Sequence, residues 1–235
     1  MRSLTAMCLW LVVPLVLLGA APADAQTFTL TSVCKTPCGQ DYLGPVWTKP
    51  GSALFEEHFI QVRLDAAVLM RSASEHIAIS GMASGRPFRP GGTFSPDASN
   101  GGVGIALGRI DKASHDACPE DTASEYVELG IEQFGWRDPF ASKITACTNF
   151  RKSLLASNTT VLLSLSIKCS GNLCAVTAGL THDGTGAQLA SVSGYATVAN
   201  PTATRNIWYA LTNFQGEKVE PSVTFQVIRQ TYTAR

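Results

Sequence analysis

The chain has 235 residues, and 18 Lys and Arg balance 18 Asp and Glu, so its formal net charge is zero. Only 15% of the residues are charged while 45% are hydrophobic, which excludes a disordered, highly charged chain. No basic excess is available to neutralise phosphates, so nucleic acid is not expected as a partner. No second long apolar run follows the first, which excludes a polytopic membrane protein.

The N-terminal segment has the features of an export signal. Arg2 precedes an almost wholly apolar stretch over residues 6–21, and Ala23-Asp24-Ala25 is the small-x-small pattern that signal peptidase recognises. The apolar stretch is shorter than the roughly 20 residues that a transmembrane helix needs. We therefore expect a signal peptide over residues 1–25 and a single domain over residues 26–235 without a membrane span. The expected location is secreted or periplasmic.

Cysteine usage also favours export. Six of the cysteines follow the signal segment, and an even number in an exported chain indicates disulfides, although six cysteines allow fifteen pairings. Our preferred set is local and consists of Cys34–Cys38, Cys118–Cys147 and Cys169–Cys174. The last pair has the strongest basis, because Ser170-Gly171-Asn172 is typical of a turn between two β-rich runs. No metal site is expected at Cys34 and Cys38, because their spacing differs from that of zinc motifs.

Most of the chain shows the period of half-buried β-strands. From residue 58 to residue 68 the even positions, such as Ile60, Val62 and Leu64, are apolar and alternate with polar residues. Similar β-rich runs cover residues 27–33, 75–80, 103–110, 124–134, 142–148, 160–168, 173–181, 189–198, 205–213 and 223–227. Residues 151–156 favour a turn of helix. About eleven short strands with Gly and Pro turns predict an all-β, antiparallel, jelly-roll-like sandwich stapled by disulfides.

One loop is long enough to have a function of its own. Residues 85–102 are rich in Pro and Gly and contain Arg86 and Arg89. Loops longer than about 12–15 residues are commonly functional or disordered. Two interpretations stay open: a surface excursion, or a lid that covers a binding face and adds both arginines to a ligand site.

The segment 125–136 carries the main candidate site. Its odd positions Val127, Leu129 and Ile131 form an apolar face for the core, and the even positions point away from that core. The even positions are Tyr126, Glu128, Gly130, Glu132, Phe134 and Trp136. Aromatic rings stack on CH-rich sugar faces and carboxylates accept hydroxyl protons, so this face suits a saccharide. The alternative is an exposed strand face whose glutamates are solvated or paired with Lys or Arg across the sheet.

Other motifs are few. Neither a serine-hydrolase elbow nor a helical zinc motif is present, and the histidines are scattered along the chain. Asp97, Asn100 and Asp183 suit turns for local backbone reasons, so calcium is not supported, and we expect no metal or cofactor. Asn158 begins an Asn-Thr-Thr acceptor, which is relevant only in a host that glycosylates exported proteins.

The run Glu128-Leu129-Gly130-Ile131-Glu132 resembles the Glu-x-Asp-x-Glu strand of the laminarinase-like glycoside hydrolases, which have the concanavalin-A-like jelly-roll fold. The stretch over residues 207–232 is similar to the closing strands of that fold. The resemblance implies a nucleophile at Glu128 and a general acid/base at Glu132. Gly130 stands where the family has its middle aspartate, so no carboxylate is available there to tune the nucleophile. The resemblance is therefore one of fold more than of family.

Three functions from different classes follow. The one we favour is an exported, non-catalytic sandwich that binds a glycan or another small polar ligand on the 126–136 face. The second is a glycoside hydrolase that uses Glu128 and Glu132. Their Cα atoms lie about 13 Å apart on a flat strand, whereas retaining hydrolysis needs carboxyl groups about 5–5.5 Å apart. The third is a secreted structural or protein-interaction module.

Overall fold

A computed structural model of the chain describes residues 26–31, 40–52, 54–67, 75–83, 102–108, 125–134, 142–155, 159–198, 204–213 and 222–235. Within these ranges it contains twelve strands and a short 3-10 helix, Lys152–Leu154. The strands are β1 (Thr27–Thr31), β2 (Gln40–Lys49), β3 (Phe55–Asp65), β4 (Glu75–Ala83), β5 (Gly102–Gly108), β6 (Tyr126–Phe134), β7 (Ser142–Arg151), β8 (Thr160–Ser170), β9 (Leu173–His182), β10 (Gln188–Thr197), β11 (Arg205–Asn213) and β12 (Ser222–Ala234).

The strands form two six-stranded antiparallel sheets. The first sheet has the order β1-β12-β3-β8-β9-β10, and the second has the order β2-β11-β4-β5-β6-β7. The late strands β11 and β12 each lie between strands from the first half of the chain, which closes the fold through pairings distant in sequence. The predicted all-β, antiparallel, jelly-roll-like sandwich is therefore confirmed. In the described part of the chain, no helix is long and apolar enough to cross a membrane.

The core lies between the sheets and follows from strand alternation. In β3, Ile60, Val62 and Leu64 are buried while their neighbours are more exposed. Burying each such side chain contributes about 1.5–3 kcal/mol. β5 departs from this pattern, since all seven of its residues are buried. The second sheet is therefore covered on both faces at its centre, whereas the first sheet leaves one face open.

The eleven predicted runs all correspond to strands, and β2 is the strand that the sequence analysis missed. Gly44 and Pro45 interrupt its apolar alternation. Pro45 is tolerated because β2 is an edge strand and its pairing with β11 shifts register between Ile207 and Tyr209. Because Gly44 and Pro45 break the alternation of β2, its sequence did not predict a strand. The predicted helical turn at 151–156 is present as the short 3-10 helix.

The sheets approach each other closely where β10 meets β7. A Cβ atom built on Gly194 would lie 2.9 Å from the Cβ of Ala146 and 3.6 Å from Cδ1 of Ile131. Because the glycine has no side chain, the edge strand of the first sheet can lie against the second sheet. This contact closes one side of the sandwich.

The Cys169–Cys174 disulfide is present, as predicted. The two cysteines face each other in the β8–β9 hairpin with 4.0 Å between their Cα atoms. Cys147 is also disulfide-bonded, and its partner lies outside the described residues. Cys34, Cys38 and Cys118 lie outside them too, so their pairing stays a prediction.

Candidate functional site

The two faces of β6 have different surroundings. Val127, Leu129 and Ile131 belong to the core between the sheets. Glu128 and Glu132 alternate with them and therefore point to the outer face of the second sheet. Both are nevertheless buried, with exposed fractions of 7% and 1%. The outer face of β6 is thus not an open surface.

We call this outer face of β11, β4, β5 and β6 the trough. Its described residues are Trp208, Ala210, Ala78, Ser80, Gly104, Ala106, Gly108, Glu128, Gly130 and Glu132. The alanines of β4 and β11 pack with Trp208 in a small cluster separate from the main core, which agrees with their place on the opposite face of the sheet.

The middle of the trough is lined only by the smallest side chains. Ala210, Ala78, Ala106 and Gly130 lie side by side in register on four neighbouring strands. At about 4.8 Å per strand this row is about 14 Å wide. No side chain in the row is larger than a methyl group, so the floor lies lower here than in the rows on either side.

The next row carries polar groups. Trp208, Ser80, Gly104 and Glu132 follow one another in register across the same four strands. Ser80 is fully buried, and among the described residues its Oγ has no hydrogen-bond partner. Gly104 separates Ser80 from Glu132 without a side chain of its own. An indole, a hydroxyl and a carboxylate therefore lie in one row of the outer face.

The strand neighbours of the two glutamates are not basic. Glu128 lies between Gly108 and Asn149, and Glu132 lies between Gly104 and Ile144. The pairing of β6 with β7 shifts register at Glu132, which bends the strand locally.

The other predicted ligand residues are distributed differently. Tyr126 lies at the start of β6, where Arg151 Nε donates a hydrogen bond of 3.3 Å to its hydroxyl. Phe134 is the last residue of β6. The remaining predicted residues, Trp136, Arg86, Arg89 and the acceptor Asn158, lie outside the described residues, as does the loop 85–102 apart from its final glycine.

Trp208 is one of the trough residues, with Ser80 and Gly104, that sequence reasoning missed. The signal was present, because Ile207, Tyr209 and Leu211 are apolar and buried in the core, which places Trp208 on the opposite face of β11. What the sequence did not show is that β11 lies beside β4 and therefore two strands from β5. That neighbourhood is set by pairing between distant segments.

Metal ligands are not gathered at the trough. In the described ranges, no group of three or more His, Cys, Asp or Glu side chains could hold a metal ion. Asp97 and Asn100, named above for calcium, lie outside those ranges. Asp183 accepts hydrogen bonds of 2.7 and 3.2 Å from Arg63.

A second polar cluster lies between the sheets, on the inner side of β11. Arg205 and Glu56 form a fully buried ion pair with 2.8 Å between Nη2 and Oε2. The same carboxylate accepts hydrogen bonds from the Tyr232 hydroxyl at 2.6 Å and from the Ser52 amide at 2.8 Å. Burial and the bond to Glu56 raise the pKa of Tyr232. We call these residues, with His58, the interior cluster.

His58 is the neutral member of this cluster. It is buried against the rings of Trp47 and Tyr232, with ring centroids 4.8 and 5.9 Å away. The Met82 amide donates to its Nδ1 at 3.4 Å, which places the proton on Nε2. Burial, assisted by the positive charge of Arg205, lowers the pKa of His58 to about 3. The ring is thus uncharged at neutral pH.

Comparisons with known proteins identify no family for this chain. No protein-family model matches the sequence, and no curated protein is significantly similar to it. The structure is similar to basic winged bean lectin with Tn-antigen (11% identity, 89% of each chain covered, TM-score 0.42) and to a Lotus tetragonolobus seed lectin (12% identity, 90% of this chain and 94% of that chain, TM-score 0.44). It is also similar to the family 7 alginate lyase A1-II' (9% identity, 89% of this chain and 77% of that chain, TM-score 0.40). The likeness is limited to the fold.

Proposed function

We propose that the protein is an exported, non-catalytic β-sandwich that binds a saccharide, or a small polar ligand like one, in the trough. The buried hydroxyl of Ser80 carries this proposal. A buried polar group without a partner costs about 1–3 kcal/mol, and in native proteins it usually faces a water molecule or a ligand. Here it points away from the core into a row that also holds Trp208 and Glu132.

The chemistry of the trough suits a sugar ring. The indole of Trp208 offers a flat surface for CH groups, while Ser80 and Glu132 supply a hydroxyl and a carboxylate for sugar hydroxyls. Ala78 and Ala106 are buried here, and their small side chains would let a ring that enters the trough approach the backbone closely. An apolar floor with a few converging polar groups is typical of small-molecule sites.

Binding is favoured over hydrolysis by the spacing of the carboxylates. Glu128 and Glu132 are four residues apart on one strand, about 13 Å at Cα. Their carboxyl groups would have to converge to about 5–5.5 Å for retaining hydrolysis, or about 6.5–9.5 Å for inverting hydrolysis. Gly130 between them also provides no carboxylate to assist.

Export is supported by the N-terminal segment and by the disulfide. Arg2, the apolar stretch and the small-x-small pattern at 23–25 are typical of a signal peptide. The Cys169–Cys174 bond is typical of proteins from oxidising compartments.

Two conservative substitutions test the trough. We expect Ser80→Ala and Glu132→Gln each to weaken saccharide binding by about tenfold, since each removes one hydrogen bond to the ligand. Isothermal titration calorimetry against a panel of mono- and oligosaccharides measures the effect. Ser166→Ala and Glu125→Gln are matched controls, because they make the same chemical changes at side chains outside the trough. These controls should bind like the wild type.

Two outcomes would overturn the proposal. Wild-type affinity in both trough variants would remove the assignment of the site. Hydrolysis of a β-glucan by the wild type, abolished by Glu128→Gln, would replace binding by catalysis.

A further inference from the structure

Exposed apolar side chains cluster at one corner of the first sheet. On its outer face, Leu54, Phe55, Leu173 and Tyr195 are 65%, 57%, 55% and 69% exposed. Phe55 and Leu173 lie on either side of Ser170 in register, and Tyr195 projects from the edge strand β10. Clustered exposed apolar groups, unlike scattered ones, usually mark an interaction site.

Two hollows meet at this corner. The first, about 290 Å³, lies on the outer face of the first sheet and is lined by Phe55, Glu57, Lys168 and Ala175, among others. The second, about 280 Å³, lies across β10. Both hollows are lined by Leu173 and Tyr195, so the tyrosine ring stands between them.

The first hollow combines an apolar surface with one ion pair. Glu57, Lys168, Ala175 and Tyr195 follow one another in register across four strands, a distance of about 14 Å. Ala175 leaves a depression between the lysine and the tyrosine. The Glu57–Lys168 contact is loose at 4.0 Å, and both side chains are more than half exposed. Their charged groups can therefore turn toward a ligand at little cost.

The second hollow is polar and receives residues from both sheets. Lys143, Thr145 and Gln133 come from the second sheet, and Thr197 comes from β10 of the first. The Thr197 amide donates a 2.7 Å hydrogen bond to Gln133 Oε1, which ties the two sheets together at this point. An ammonium, a hydroxyl and an amide thus converge beside the Tyr195 ring.

We propose that Tyr195 is the platform of a second saccharide site, which binds an extended saccharide chain across β10 with sugar units on both sides of the ring. Sugar rings present CH faces and hydroxyl edges, which match an exposed aromatic ring between an apolar hollow and a polar hollow. An apolar protein segment would match the first hollow but not the polar lining of the second. This site lies on the first sheet and does not depend on the trough.

The corner is pre-organised by covalent and hydrogen bonds. The Cys169–Cys174 disulfide closes the hairpin from which Ser170 and Leu173 project. The Gly171 amide donates to the carbonyl of Leu54 at 2.9 Å, which joins the hairpin turn to the start of β3. A rigid platform reduces the entropy that binding would otherwise cost.

Substitution of the platform tests the proposal. We expect Tyr195→Ala to weaken binding to soluble polysaccharides about tenfold, whereas Tyr195→Trp keeps an aromatic face and binds within about threefold of the wild type. Affinity electrophoresis in gels that contain a β-glucan, a xylan or a polyuronate measures this. Leu154→Ala is the matched control, because Leu154 is 52% exposed but lies outside the corner. The high exposure of Tyr195 means that its truncation leaves the fold intact.

The trough variants separate this proposal from the first one. Polysaccharide binding that survives Ser80→Ala but is lost in Tyr195→Ala supports the corner site whether or not the trough binds sugar. Wild-type retardation of Tyr195→Ala in every gel would overturn it. Dimerisation in sedimentation experiments that disappears in Tyr195→Ala, without any polysaccharide binding, would instead assign the corner to protein contact.

Discussion

The interior cluster and the polar row of the trough occupy opposite faces of the same strand. Arg205 of β11 points between the sheets, and Trp208, three residues later, points into the trough. Both of these β11 side chains are more than nine-tenths buried. In the interior cluster, Glu56 accepts bonds from a guanidinium, a phenol and an amide. In the trough, the hydroxyl of Ser80 has no partner among the described residues.

This difference distinguishes buried groups that support the fold from a buried group that the proposed ligand would use. Glu56, Arg205 and Tyr232 satisfy one another, so their removal should cost stability and leave binding alone. Ser80 contributes no hydrogen bond within the described part of the chain, so its removal should cost binding and leave stability alone. The following predictions test that separation, from the largest expected change in the free energy of unfolding to the smallest.

Breaking the interior ion pair should have the largest effect. We expect Arg205→Met or Glu56→Gln to lower the free energy of unfolding by about 3–5 kcal/mol, because either change leaves a buried group without its partner. Urea denaturation measures this loss. Arg63→Met removes the partly exposed pair with Asp183 and should cost less than about 1 kcal/mol. Equal losses in the two variants would contradict the distinction.

Acid should destabilise the protein through His58. Its pKa is about 3 in the folded protein and near 6.5 in the unfolded chain. The stabilisation that depends on the neutral His58 ring is therefore fully present above pH 6.5. As the pH falls from 6.5 toward 3, the unfolded chain binds a proton that the folded chain does not. Unfolding should become easier by on the order of 1 kcal/mol per pH unit. Denaturation midpoints across this window should fall less steeply in His58→Leu, while His182→Leu keeps the wild-type slope.

Removing the hairpin disulfide should have an intermediate effect. For so short a loop, Cys169→Ser/Cys174→Ser should lower the free energy of unfolding by about 2 kcal/mol through added entropy of the unfolded chain. Scanning calorimetry measures the change in Tm. Ser170→Ala alters the same hairpin but keeps the bond, and it should melt like the wild type. An unchanged Tm in the double variant would show that the bond adds nothing to the hairpin pairing.

Ser80→Ala should have the smallest effect on stability. The Ser80 hydroxyl has no partner among the described residues, so its removal also removes its desolvation penalty. The free energy of unfolding should therefore change by less than about 0.5 kcal/mol or rise. Urea denaturation measures the free energy of unfolding of this variant, and calorimetric titration measures its saccharide affinity. A loss above about 2 kcal/mol would mean that Ser80 supports the fold rather than a ligand.

Much of the fold could be predicted from the sequence, because one buried face imposes alternation on each strand. This rule found β3 and β8 by their regular apolar positions. It also found β5, although all of that strand is buried. It failed for β2, where Gly44 and Pro45 break the pattern at a sheet edge. Disulfide pairing was predictable only where a turn brings two cysteines together, as at Cys169 and Cys174.

The candidate site was less accessible to sequence reasoning. Alternation along β6 placed Glu128 and Glu132 on one face, but it did not show that this face is buried. Ser80, Gly104 and Trp208 complete the row only because β4, β5 and β11 pair in a particular register. The pairing of β4 with β11 joins segments more than a hundred residues apart, and no local pattern reports it.

Gly44 lies on the edge strand β2 and leaves room for the indole of Trp208 in the trough. A Cβ atom there would lie 2.6 Å from Cδ2 of Trp208, so the indole keeps its place because β2 has no side chain at this point. A larger residue at 44 would meet the indole, so the ring or β2 would have to move. A substitution on an edge strand could therefore alter the proposed saccharide site while every residue of the trough stays the same.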